Sequence, residues 1–159
     1  MAAGDYVSFW KGTMKIVSAI TRLLLGLMFF VFGLNGFLHF LPMGPMPTGL
    51  AGQFISALVQ SHYMIVVSAL QVVGGFLLLV NRYVPLALTL LGPVIVNILL
   101  FHAFMAPKGL PLALLACVLW ILTALKARLA FAGLFQQRVP TDSKGPPLTS
   151  ERRGIRQAS

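Results

Sequence analysis

Five side chains set in long apolar runs could bind a ligand or do chemistry: Asn35, His39, Gln71, Asn97 and His102. Polar groups are costly in hydrocarbon and tend to face the inside of a helix bundle. Asn35 and His39 are four residues apart and would stack on one helix face. Asn97 and His102 are five apart, roughly 140° offset on an ideal helix unless it is locally distorted. Counting from Arg22, Asn35 lies roughly 20 Å and His39 roughly 25 Å along its helix. Counting from Arg82, Asn97 lies roughly 22 Å and His102 about 30 Å along theirs, while Gln71 is roughly 13 Å from His62. Three runs therefore carry their polar groups into the same half, which predicts one polar pocket opening at that end. The competing reading is that each amide hydrogen-bonds a neighbouring helix, a common form of glue, and that each histidine sits among lipid headgroups.

The chemistry open to these groups is narrow. Two histidines on different helices can in principle ligate a b-type haem, but both lie near the rim without an opposing geometry. No His, Cys and carboxylate set has metal-ligand spacing, so no metal site is expected. The apolar runs contain no Asp or Glu, which removes a carboxylate proton relay. Cys117 is the single cysteine, so an internal disulfide or a paired-thiol redox site is excluded; it reads as a small buried hydrophobe. Arg22 either snorkels to the surface or anchors the turn at Asn81 and Arg82.

The elements that position these residues follow from composition. Of 159 residues, 58% are hydrophobic and 9% are charged, against about a quarter charged in a soluble domain. With a mean hydropathy of +0.89, the chain must present much of its area to lipid. The runs from Ile16 to Leu41, Tyr63 to Val80, Tyr83 to Met105 and Leu110 to Ala127 are 18 to 26 residues long. Each can cross about 30 Å of hydrocarbon. The expected architecture is all-α: a four-helix transmembrane bundle spanning 16–135, preceded by a short segment 1–15 and followed by a polar, basic tail 136–159. The tail has the composition of a disordered segment. The first run is too long for a signal-peptide core and lacks a small-residue cleavage site, so it reads as a retained helix.

The longest connection, Pro42 to His62, opens with Pro42, Pro45 and Pro47, which cannot continue a helix. Leu50, Phe54, Ile55, Leu58 and Val59 then recur at helical spacing. They predict a short interfacial helix, lying on the outer surface or folded over the mouth of the bundle as a lid. Lys and Arg number eleven on the side of the two termini and one, Lys108, on the other. That bias places both termini in the cytoplasm. The net charge of +9 suits anionic headgroups; no basic stretch interleaved with aromatics suggests nucleic acid. Helices associate in lipid through small residues, here Gly26, Gly33 and Gly36 in the first run and Gly74 and Gly75 in the second. Gly74-Gly75 is the best candidate for a close crossing. Pro93 should kink the third run.

Three stretches, taken in order, carry a resemblance. They are Arg22 to Phe37 with Gly26, Gly33, Asn35 and Gly36; Gln71 to Ala87 with Gly74, Gly75, Arg82 and Pro85; and Gly92 to His102 with Pro93 and Asn97. Together they resemble the DoxX-like family of small four-span bacterial membrane proteins, over about Ser18 to Phe131. The resemblance implies a membrane subunit linked to quinone or sulfur redox metabolism, or to oxidative stress. The family often has an acidic residue where this chain has Gln71, so proton handling at that position is not implied here.

The expectation is therefore a subunit with no cofactor of its own, contacting quinone or a small sulfur compound through the five polar residues. Its partners would be the lipid bilayer and other proteins of a membrane complex, or further copies of itself. The alternative is a non-enzymatic assembly or scaffold protein, or a small permease, since no catalytic motif is complete within the chain.

Overall fold

The computed structural model describes residues 3–42 and 44–128, with side chains from Thr13 onward. The predicted tail 136–159 lies outside the described residues. Everything regular in them is helical: α1 Ala3–Leu38, α2 Gly49–Gln60, α3 Tyr63–Leu79, α4 Val84–Phe104 and α5 Leu110–Ala127, with a 3-10 turn Pro107–Gly109 before α5. A chain with so few charges satisfies its backbone internally, and in lipid the helix is one of only two structures that do so.

Three helical stretches are long and apolar enough to cross a membrane: Thr13–Leu38, Val84–Phe104 and Pro107–Ala127. α3 has 17 residues and qualifies as a fourth when joined to α2, from which it is bent by 83°. α1 is longer than the apolar run within it, because the helix starts at Ala3 and continues unbroken through Lys15.

The four long helices pack in a ring in which α1 and α4 each touch α3 and α5 and stand diagonal to one another. Leu25, Phe29, Leu78, Leu88, Leu91, Ile95 and Leu119 fill the centre. The outward faces are equally apolar: Leu24 and Leu27 of α1, Val73 and Phe76 of α3, Val96 and Leu100 of α4, and Val118 and Leu125 of α5 are all exposed. Apolar surface on every outward face is not tolerated in water. It fits a hydrocarbon solvent.

Glycines set how closely α1 and α3 approach. A Cβ on Gly75 would fall 2.5 Å from Phe30 N and 2.8 Å from Gly26 O, and one on Gly33 would fall 2.8 Å from Val72 N. Backbone therefore lies against backbone at this crossing, which maximises dispersion contact where lipid gives no hydrophobic drive. Gly36 faces Ser68 at the same interface, whereas Gly74 faces Leu91 of α4.

Short polar devices end the helices. After α3, Asn81 adopts a left-handed φ of 55°. Its N–H donates to Leu78 O at 3.2 Å, and the Arg82 N–H donates to Leu77 O at 3.1 Å. This is the reciprocal pair of a Schellman end, with Asn in the usual place of Gly. Arg22 reaches across from α1 and donates to Leu78 O and Leu79 O. It anchors that end of α3 rather than snorkelling away: a cation on the last carbonyls of a helix C-terminus opposes the negative end of the dipole. Within α4, Pro93 has no N–H to give to Thr89 O. One residue earlier, Leu88 O accepts the indole N–H of Trp120 from α5 at 3.0 Å.

Candidate functional site

The five polar residues singled out from sequence take separate places. Asn35 is 4% exposed, and its side-chain oxygen accepts the Leu41 N–H at 2.6 Å. Its carbonyl accepts the His39 N–H at 2.9 Å. Asn35 thus closes the end of α1 with both of its oxygens. His39 is exposed and holds a left-handed φ of 51°, so it is the residue on which the chain turns out of the helix.

Gln71 is half-buried on α3, its Cβ close beside Gly33 of α1. Ser68, one turn before it and buried, fills the α1–α3 interface beside Gly36. Ser68 escaped the sequence reading, because a lone serine in an apolar run carries no signal beyond its spacing of three from Gln71.

His102 is half-buried, and its Nδ1 hydrogen-bonds to Ala106 O at 3.0 Å. Its ring lies against Gly109, where no Cβ would fit. It also meets the edge of Phe101, with ring centroids 5.1 Å apart. Phe101 in turn stacks with Phe54 of α2, centroids 5.7 Å apart. His102 therefore staples the α4–α5 connection, and Phe54 fixes α2 over the same end. Asn97 is different. It is exposed on α4, on the helix diagonal to Asn35, with no hydrogen-bond partner for its side chain.

The structure thus brings Asn35 to the α1 terminus, Gln71 and Ser68 to the α1–α3 seam, and His102 to the α4–α5 connection. It turns Asn97 and His39 outward. Among the described residues, no buried side-chain oxygen or nitrogen lacks a partner, and no three of His, Cys, Asp and Glu stand together as a metal site would require. Cys117 is half-buried and free.

A cavity of about 400 Å³ opens at the opposite end, between the first half of α1, the α3–α4 turn and the last turns of α5. Its polar lining is Lys15, Ser18, Arg22, Asn81, Thr123 and Lys126. The signal for it was present in the sequence: Lys15, Ser18, Ala19 and Arg22 fall at i, i+3, i+4 and i+7, one face of one helix. What the sequence did not show is that this face turns toward α5.

These helices and their apolar outward faces put the chain in the class of integral membrane proteins. Beyond the class, no known protein family, no curated protein and no solved structure matches it.

Proposed function

We propose that the protein is a small four-span subunit of a membrane complex, of the DoxX-like kind, which acts through contacts with partner proteins in the bilayer. Its chain ends would lie on the cytoplasmic side of a bacterial cytoplasmic membrane, by the positive-inside rule. The observation that carries the reading is Asn97. It stands thirteen residues into the 21-residue α4, roughly 20 Å along the helix, exposed and unpartnered. Val96 and Leu100, exposed beside it, are apolar. A primary amide facing lipid at that depth gains a hydrogen bond, worth about 1 kcal/mol, by pairing with another membrane helix. A partner helix on this face of α4 would cover it.

The link to quinone or sulfur redox metabolism rests on the resemblance alone. Gln71 and Asn97 are the two spanning amides without an internal partner, and either can donate to a quinone carbonyl. The test is co-purification of the full-length tagged chain from native membranes in a mild detergent. A stoichiometric membrane partner, its content lowered several-fold in Asn97→Leu, is the expected result. Partner content unaffected by Asn97→Leu, or an unaccompanied monomer, would overturn the reading. Quinone- or thiosulfate-dependent electron transfer in the purified complex tests the redox part separately.

A further inference from the structure

We infer that the cleft lined by Lys15, Arg22 and Lys126 binds the phosphate of an anionic membrane phospholipid, with the acyl chains lying along the outside of α1 and α5.

Charge is the first argument. Among the residues whose side chains are described there is no Asp or Glu. Lys15, Arg22 and Lys126 share one cavity, and among the described residues no acid lines it. Arg22 spends donors on the carbonyls of Leu78 and Leu79. Those acceptors are neutral, so the guanidinium keeps its charge, and with five N–H groups it has donors to spare. The start of α4 borders the same cavity through Val84 and Pro85 and has no side-chain cap. The positive end of its dipole adds to the field of the cations. Like charges gathered in one cleft are destabilising when empty, and a phosphate between them relieves that.

Position selects the source of the phosphate. Lys15 and Arg22 are seven residues apart, so the basic ladder runs roughly 10 Å along α1, from the rim into the apolar span. The remaining walls, Ala19, Val84, Pro85 and Ala127, are small and uncharged and offer nothing to hydrogen-bond a hydrophilic anion. On the same two helices, Leu23, Leu24 and Leu27 of α1 and Leu122 and Leu125 of α5 are exposed. A free phosphate has no use for that surface; a diacyl phosphodiester does. The cavity, about 400 Å³, falls within the ~300–1,000 Å³ of sites that enclose small ligands, enough for a headgroup with its chains outside. Basic pockets between spanning helices serve this purpose in general. Ser18 and Asn81 can donate to phosphate oxygens. Thr123 does not take part as a donor, because its hydroxyl donates to Leu119 O at 2.8 Å.

The experiment is native mass spectrometry of the full-length protein released from neutral detergent, with phosphatidylglycerol or phosphatidylcholine added at equal amounts. The thermal midpoint is followed in parallel with each lipid and with inorganic phosphate. The wild type is expected to retain phosphatidylglycerol and not phosphatidylcholine. Lys15→Gln with Lys126→Gln should cut retention about tenfold while leaving helix content unchanged and the lipid-free midpoint no lower than wild type, since both lysines are exposed and their repulsion is relieved. Lys108→Gln, at the other end of the molecule, should retain the lipid as wild type does. Ala19→Leu fills the cleft without changing charge and should also lower retention. Equal retention of the two lipids, or undiminished retention in the double lysine variant, would overturn the inference. So would a midpoint raised by inorganic phosphate but unmoved by phosphatidylglycerol, which would assign the cleft to a free anion.

Discussion

The side-chain oxygen of Asn35 lies 2.6 Å from the Leu41 backbone nitrogen, across the point where α1 stops. Its own carbonyl takes the His39 N–H in the same turn. The last carbonyls and first loop amides of a helix must find partners when water is absent, and one buried asparagine supplies two of them. This is a structural use of a residue that could equally have lined a ligand pocket.

Asn35→Ala should therefore destabilise the protein without touching any ligand. Removing the acceptor leaves the Leu41 N–H unpaired in a partly buried setting, at a cost of about 1–3 kcal/mol. The expected result is a lower thermal midpoint in detergent, with helix content near wild type. An unchanged midpoint would show that the Leu41 amide finds another acceptor.

Gly75→Ala and Gly92→Ala form a matched pair. At Gly75 the new methyl would meet Phe30 N at 2.5 Å and Gly26 O at 2.8 Å, both backbone, whereas at Gly92 the nearest atom is Trp120 Cζ2 at 3.5 Å. The first must push α1 from α3 and should cost about 1–3 kcal/mol. The second makes an ordinary contact and should be close to neutral. Thermal midpoints of the two variants, measured side by side, read the difference.

Trp120→Phe keeps most of the packing and deletes the indole N–H that Leu88 O accepts. Beside Pro93, the α4 backbone has already lost one helical donor. The loss should be about 1 kcal/mol, seen as a modest fall in midpoint. Phe at 120 with no fall would mean that the carbonyl is satisfied within α4.

His39→Gly tests the histidine as a turn residue. With φ at 51°, the imidazole side chain sits on a backbone that glycine adopts at no steric cost. The variant should match or exceed the wild-type midpoint, by up to about 1 kcal/mol. His39→Val, β-branched and poorly suited to this φ, should fall below it. The reverse order would assign His39 a role through its side chain.

Much of the helical layout was legible from hydropathy and punctuation. The apolar run ending at Val80 and the run from Tyr83 to Met105 differ from α3 and α4 by one or two residues, because Asn81 and Pro85 mark the turn chemically. Pro42, Pro45 and Pro47 located the break before α2 for the same reason. The start of α1 was less legible: Lys11 and Lys15 look like the end of an apolar span, yet charges do not stop a helix that has left the hydrocarbon.

The use of the polar residues was not legible at all. Depth along a helix follows from counting at 1.5 Å per residue, so the sequence could say that Asn35, Gln71, Asn97 and His102 lie toward one end. Which way each points depends on how its helix is rotated against its neighbours, and in lipid that rotation is set by packing of small residues rather than by an amphipathic pattern. With apolar residues on every face, α4 gives no periodic clue that Asn97 looks outward while Leu91 and Ile95 look in.

By itself, then, the sequence determined the solvent, the helices and most of their ends, because composition, run length, proline and left-handed turns act locally. Only the tertiary structure decided that Asn35 would close a helix, that Asn97 would point outward, and that Lys15, Arg22 and Lys126 would meet around one cleft. Those outcomes depend on how α1, α3, α4 and α5 are rotated against one another, with Gly26, Gly33 and Gly75 letting the α1 and α3 backbones touch.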